Sequence, residues 1–201
     1  MKILVACEYT GTVRDALLGR GHDAISCDLL PTESPGPHHH GPVEDLINEQ
    51  WDLVIAHPPC TYLSNSGVRW LHTEPGRWDR MKEAARFFRL MSTFRSPRIA
   101  IENPIQHKYA VAEHGLGRQT QIVQPWMFGH TETKATGLWL FGLPPLTPTE
   151  NVKSEMAALP AKQRNRIHYL SPGADRWKQR SATFPGIADA MATQWAGNEN
   201  V

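Results

Sequence analysis

A chain of 201 residues, 40% of them hydrophobic, is long enough to bury a real core and is expected to form one domain over 1–201. Its 21 Lys and Arg stand against 20 Asp and Glu, so a net charge of +1 neither demands nor excludes a polyanionic partner, and no apolar run approaches the roughly 20 residues that span a bilayer. Three widely spaced cysteines, at 7, 27 and 60, with no Cys-x-x-Cys pair and no signal-peptide pattern, argue against a disulfide framework and for a reduced, cytoplasmic setting.

The first apolar run, "KILVAC" at 2–7, predicts a strand, and Val13, Leu17 and Leu18 at helical spacing predict a helix that Gly19 and Gly21 punctuate. "DAISCDLL" at 23–30 reads as a second strand, so the chain opens with a βαβ unit, which favours a parallel sheet. The Pro- and Gly-rich "PTESPGPHHHGP" that follows reads as a loop. "DLVIA" at 52–56 suits a strand buried on both faces, ended by Pro58 and Pro59.

From Arg77 to Phe94, Met81, Ala84, Phe88 and Met91 recur three and four apart among Arg and Lys, the pattern of an amphipathic helix. "RIAIENP" is a further buried strand, and "QIVQPWMFGH" with "ATGLWLFGL" predicts an antiparallel ending to the sheet. Residues 143–180 read as irregular, and "PGIADAMATQWAG" at 185–197 as a closing helix with Pro185 near its start. The fold class is therefore α/β and Rossmann-like, mostly parallel with an antiparallel ending.

In open α/β sheets ligands collect where the carboxyl ends of strands meet loops. Those ends carry Glu8, Asp28, His57 to Cys60, and Glu102 with Asn103. Gly11 before a helix start allows close backbone approach, and Asp28 can accept hydrogen bonds from ribose hydroxyls; a turn glycine and a capping aspartate explain the same residues. Cys60 follows a stiff Pro-Pro corner, which fixes its direction as a nucleophile requires. Cys7 and Cys27 read as small buried hydrophobes. Glu102 ends an apolar strand, and beside "DLVIA" its carboxyl group would open onto the same crevice as the thiol, placed to give a proton to a heterocycle.

With these residues in place, the chain resembles the DNA cytosine-5 methyltransferase family. Pro59-Cys60 looks like its Pro-Cys nucleophile motif and Glu102-Asn103 like its Glu-Asn motif, in the same order. The stretches "EYTGTVRDAL", "SCDLLPTE", "IAHPPCTYLSNSG", "IENP", "QPWMFGHTETKATGLWL" and "RSATFPGIADAMATQW" resemble small phage-type members. The resemblance implies S-adenosylmethionine as methyl donor, held by Glu8, Tyr9, Thr10, Gly11, Thr12 and Asp28. It implies Cys60 and Glu102 as catalytic residues, with Pro59, Asn103, Lys134 and Arg180 toward the substrate, and DNA as the partner. Departures are Thr61 where Gln is usual, Pro104 where Val is common, a donor loop poorer in glycine, and no Gln-x-Arg-x-Arg motif, Thr133-Lys134 standing at about its place.

Only about 148–180 is available in place of a recognition domain. From 151 to 180 it carries seven Lys and Arg against Glu155 and Asp175, a net +5 suited to phosphate contacts. A flipped base could rest on Tyr62, Trp70 or Trp126, each of which also fits a core position. Three readings compete with cytosine-5 methylation of DNA: methylation of free cytosine nucleotides, an exocyclic-amine methyltransferase suggested by "HPPCTY", and a non-catalytic nucleic-acid-binding module. Consecutive His38, His39 and His40 lack the spacing of a zinc site, and His57 with Cys60 supplies two ligands only, so no metal is expected.

Overall fold

In a computed structural model, described over residues 1–173 and 176–197, seven strands form a single sheet in the order β3-β2-β1-β4-β5-β7-β6. The strands are β1 (Lys2–Ala6), β2 (Asp23–Asp28), β3 (His38–His40), β4 (Leu53–Ala56), β5 (Ile99–Pro104), β6 (Gln121–Val123) and β7 (Thr136–Phe141). Pairing is parallel from β3 through β5, and β7 runs antiparallel to both β5 and β6. This is the Rossmann-like α/β sheet with an antiparallel ending that the sequence predicts.

Alternation of side chains along each strand divides the core between the two faces of the sheet. Leu4, Val54, Ile99 and Ile101 pack with Met81, Ala85, Phe88 and Met91 on one side. Ile3, Val5, Leu53, Ile55 and Ala100 pack with Val13, Leu17, Ile187 and Met191 on the other. The helices are α1 (Thr12–Leu18), α2 (Arg77–Leu90) and α3 (Lys108–His114), then four short ones, α4 (Lys153–Ala158), α5 (Ala161–Arg164), α6 (Arg166–Tyr169) and α7 (Arg176–Ser181), and last α8 (Pro185–Met191); those that supply residues to the two layers are α1, α2, α3 and α8. No helix among the described residues is long and apolar enough to cross a membrane.

The structure corrects the sequence reading at four places. His38–His40 is not loop but edge strand β3, in register with Ser26, Cys27 and Asp28. Its histidines are used locally: His38 bonds to Ser26 Oγ and the Leu30 carbonyl, His40 to the Leu29 carbonyl, and His39 to Asp45. The stretch 143–180 contains α4 to α7, each too short to show a helical period. Helix α2 ends at Leu90 and continues as a 3-10 turn, Met91–Thr93, and it buries Ala85 rather than Ala84. The closing helix ends at Met191 and gives way to a π-helical turn over Ala192–Ala196.

The basic run is also less available than its charge suggests. Arg166 pairs with Glu132 at 2.9 Å, Lys178 with Glu33 at 3.2 Å, and Arg164 donates to the carbonyls of Ala157 and Leu159. Asp175, counted in the local charge, lies outside the described residues.

Candidate active site

Strand order reverses between β1 and β4, because the chain builds outward from β1 to β3 and then crosses to β4 on the other side. Carboxyl ends diverge at such a point and leave a crevice. A cavity of about 110 Å³ opens there, lined from β1's end by Cys7 to Thr10, from β4's end by His57 to Cys60, from β5 by Glu102 and Pro104, and by Lys134, Arg180, Ser181 and Thr183. The structure thus brings Cys60, Glu102, Pro59, Lys134, Arg180, Glu8, Tyr9 and Thr10 together. Asn103, Gly11, Thr12 and Asp28 do not line this cavity.

The corner carrying Cys60 is braced from both sides. Leu63 and Ser64 N–H donate to the Cys60 carbonyl at 3.0 Å, Asn65 N–H to the Ile105 carbonyl, and His107 N–H to the Leu63 carbonyl. Asn103, read from the sequence as a substrate contact, is a brace instead: its Nδ2 donates to the Pro58 carbonyl at 2.8 Å, and its Oδ1 accepts from Gln106. Only 1% exposed, it has both ends of its amide occupied. Bracing of this backbone restricts where the thiol can meet a ligand in the cavity to its few staggered rotamers.

Strands β4 and β5 pair Ala56 with Ile101, so the next residues of each, His57 and Glu102, stand side by side. His57 Nδ1 lies 3.3 Å from Glu102 Oε2, and a carboxylate only accepts, so Nδ1 carries the hydrogen. The sequence places His57 only at a strand end; the register of two buried parallel strands is the signal for its partner.

Electrostatics set the resting protonation. Burial raises the pKa of the Cys60 thiol, and the Glu102 carboxylate raises it further, while Lys134 and Arg180 oppose them. Burial would also raise Glu102, but the His57 hydrogen bond and charge, Lys134 and the Thr136 hydroxyl outweigh it and hold its pKa below the usual value. Burial lowers Lys134, with Glu102 and Cys60 acting against the fall; its Nζ donates to the Ala182 carbonyl at 3.0 Å. At rest the site is a neutral thiol beside an ionised carboxylate. Protonating Glu102 removes the charge that disfavours the thiolate, so acid and nucleophile are coupled.

The loop from β1 to α1 forms the other wall. Glu8 turns its carboxylate onto the start of α1, accepting from Val13 N–H at 2.7 Å and Arg14 N–H at 3.2 Å. Cys7, expected to be a plain buried hydrophobe, lines the cavity with a left-handed φ of 58°, a strained conformation of the kind found beside functional sites. Tyr9 packs on Trp177 of α7 with ring centroids 5.7 Å apart, so α7 lies against this loop. Tyr62, Trp70 and Trp126 line no part of the cavity; Tyr62 is covered by Arg77 and Arg80, and Lys153 lies over Trp126.

Gly11 adopts φ 77°, and a Cβ there would collide with the Arg14 guanidinium. Arg14 is fully buried: its guanidinium donates to Asp15, Ser26, Thr32 and the carbonyl of Ser34, tying the loop after β2 to α1. Gly11→Ala is expected to lose about 1–2 kcal/mol from the left-handed backbone alone, with the displacement of Arg14 added. A thermal melt should show it, at about 2–4 °C per kcal/mol for a chain of this size.

No protein-family model matches the chain, and no curated protein matches it. Among solved structures it is similar to an E. coli prophage-encoded protein described as a DNA modification methyltransferase, at 16% identity and TM-score 0.47, over 79% of this chain and 55% of that one. It is also similar to the Entamoeba histolytica methyltransferase EhMeth, at 13% identity and TM-score 0.44, over 74% of this chain and 57% of that one. A third is the 16S rRNA methylase RmtB, at 14% identity and TM-score 0.36, over 69% and 54%. The chain thus spans a little over half the length of each of these structures.

Proposed function

We propose that this chain transfers a methyl group from S-adenosylmethionine to C5 of cytosine in DNA, through a transient covalent bond between Cys60 and the ring. One observation carries the reading: a braced thiol and a strand-end carboxylate open onto one cavity at the sheet's switch point, beside the loop from β1 to α1.

The residues present fit the donor. Glu8, Tyr9, Thr10, Gly11 and Thr12 form a turn whose left-handed Gly11 starts α1, and Asp28 ends β2 half-buried, with one carboxylate oxygen on the Leu30 N–H and acceptor capacity left for ribose hydroxyls. Leu29, 72% exposed, gives an apolar surface next to it. When bound, S-adenosylmethionine supplies an electrophilic methyl on a sulfonium.

The remaining chemistry belongs to the chain. C5 of cytosine is a poor nucleophile until a thiolate adds at C6, and Cys60 adds there as Glu102 gives a proton to N3. The C5=C6 electron pair becomes an enamine, C5 takes the methyl, and loss of the C5 proton expels Cys60. Pro59 fixes the approach of the thiol, while Lys134 and Arg180 favour its anion. Asn103 acts through the Pro58 carbonyl rather than on the base.

The intramolecular pairing of Arg164, Arg166 and Lys178 favours a second reading, methylation of a free cytosine nucleotide, since fewer cations are left for a phosphate track. Nucleoside mass analysis after incubation with S-adenosylmethionine and duplex DNA should show 5-methylcytosine. Methylation of dCMP in preference to DNA selects the second reading. N4-methylcytosine, N6-methyladenine, or binding with no donor consumed overturns both.

A further inference from the structure

We propose that His57 is a positioning residue that keeps Glu102 supplied with the proton the carboxyl group delivers to the cytosine ring, an inference that rests on the covalent reading above. The geometry is a consequence of register. Residues one step beyond Ala56↔Ile101 must stand together, and the 3.3 Å contact between His57 Nδ1 and Glu102 Oε2 is the result.

Glu102 presents a difficulty that only a partner can resolve. A carboxylate held ionised by its surroundings has no proton to give, yet addition of a thiolate at C6 needs one at N3. Imidazole is the side chain that takes up a second proton near neutrality, and it does so without moving. His57 has one nitrogen on Glu102, and its buried Nε2 has no hydrogen-bond partner among the described residues, in a ring that lines the cavity shared with Cys60.

The sequence of proton movements balances. The doubly protonated ring passes its Nδ1 proton to Glu102, and the carboxyl group passes one to N3 as the sulfur–C6 bond forms and the C5=C6 pair shifts toward C4. The thiol proton leaves to solvent. After C5 has taken the methyl, its proton is lost to solvent, the sulfur–C6 bond breaks, and the N3 proton returns through Glu102 to His57.

Titratable or charged groups sharing the cavity with His57 are Cys7, Glu8 and Tyr9 at β1's end, Cys60, Glu102 on β5, and Lys134 with Arg180. Cys7 and Tyr9 are pushed upward by burial and hold their protons near neutrality. Lys134, lowered by burial, is the rival source of a high-pH limb in the rate. The two differ in sign. Removing the imidazolium charge favours the charged form of Lys134 and would move a lysine limb to higher pH. A limb belonging to the His57–Glu102 pair moves to lower pH, because the carboxyl group must then hold the proton alone.

The test is the pH dependence of kcat, at saturating S-adenosylmethionine and cytosine-containing duplex, for the wild type and His57→Asn. Asparagine keeps an N–H for Glu102 but cannot titrate; His57→Gln carries the same comparison should the first variant fail to fold. The high-pH limb is expected to fall by about one pH unit or more, with the rate near pH 8 reduced at least about ten-fold and that near pH 6 reduced far less. A limb that stays in place, moves upward, or a loss uniform across pH overturns the inference. Duplex containing 5-fluorocytosine separates the levels: no covalent adduct from an active wild type overturns the covalent reading and this one together, whereas an adduct with an unmoved limb overturns this one alone.

Discussion

Cys60→Ser should abolish both methyl transfer and the covalent adduct with 5-fluorocytosine DNA. Fluorine at C5 cannot leave as the proton does, so an enzyme that adds through sulfur is caught on its substrate and shifts in mass by the weight of the DNA. A serine hydroxyl is a far weaker nucleophile near neutrality, and Lys134 and Arg180, which favour a thiolate, cannot make an alkoxide there. The expected loss in kcat is roughly 10³-fold or more, about 4 kcal/mol on the barrier. Donor binding should survive, since Cys60 stands at β4's end and the donor loop at β1's. An adduct formed by the serine variant would remove sulfur from the mechanism.

Glu102→Gln is expected to lower kcat by about 10²–10⁴-fold, the usual worth of a positioned acid. The amide matches the carboxyl group in shape but cannot hand over a proton. Stability offers an independent reading of the same residue. Because the folded-state pKa of Glu102 lies below its ordinary value, the ionised carboxylate stabilises the fold at neutral pH, and that contribution disappears as acid protonates it. The wild type should therefore melt above Glu102→Gln near neutrality, with the gap closing as pH falls through the carboxylate range. A gap independent of pH would mean that the Glu102 charge is not what its neighbours hold.

The elements legible in the sequence were those with a long or clean pattern. "KILVA", "DLVIA" and "RIAI" are buried runs, α2 repeats over four turns, and together they order the sheet's centre and place Cys60 and Glu102 on neighbouring ends. What escaped has a physical reason in each case. Strand β3 is three residues long between prolines and borrows its order from β2, so no period exists to find. Helices α4 to α7 span four to six residues each, too short to carry an apolar stripe. Asn103 is assigned to the substrate only by its place in the Glu-Asn motif; its burial against the Pro58 carbonyl is a tertiary fact. The His57–Glu102 pair was readable in principle, since it needs only that two adjacent parallel strands end in step.

Arg14 fixes the loop after β2 within the folded chain itself. A stretch rich in proline and glycine, beginning next to Asp28, is held to α1 by the buried Arg14 guanidinium through Thr32 and Ser34, and by the Ser34 hydroxyl on Asp15. Ordering a backbone costs about 1–2 kcal/mol per residue, and here that cost falls on folding rather than on association. For a ligand that meets this wall, the surface is preorganised, and less of the contact energy is spent in shaping it.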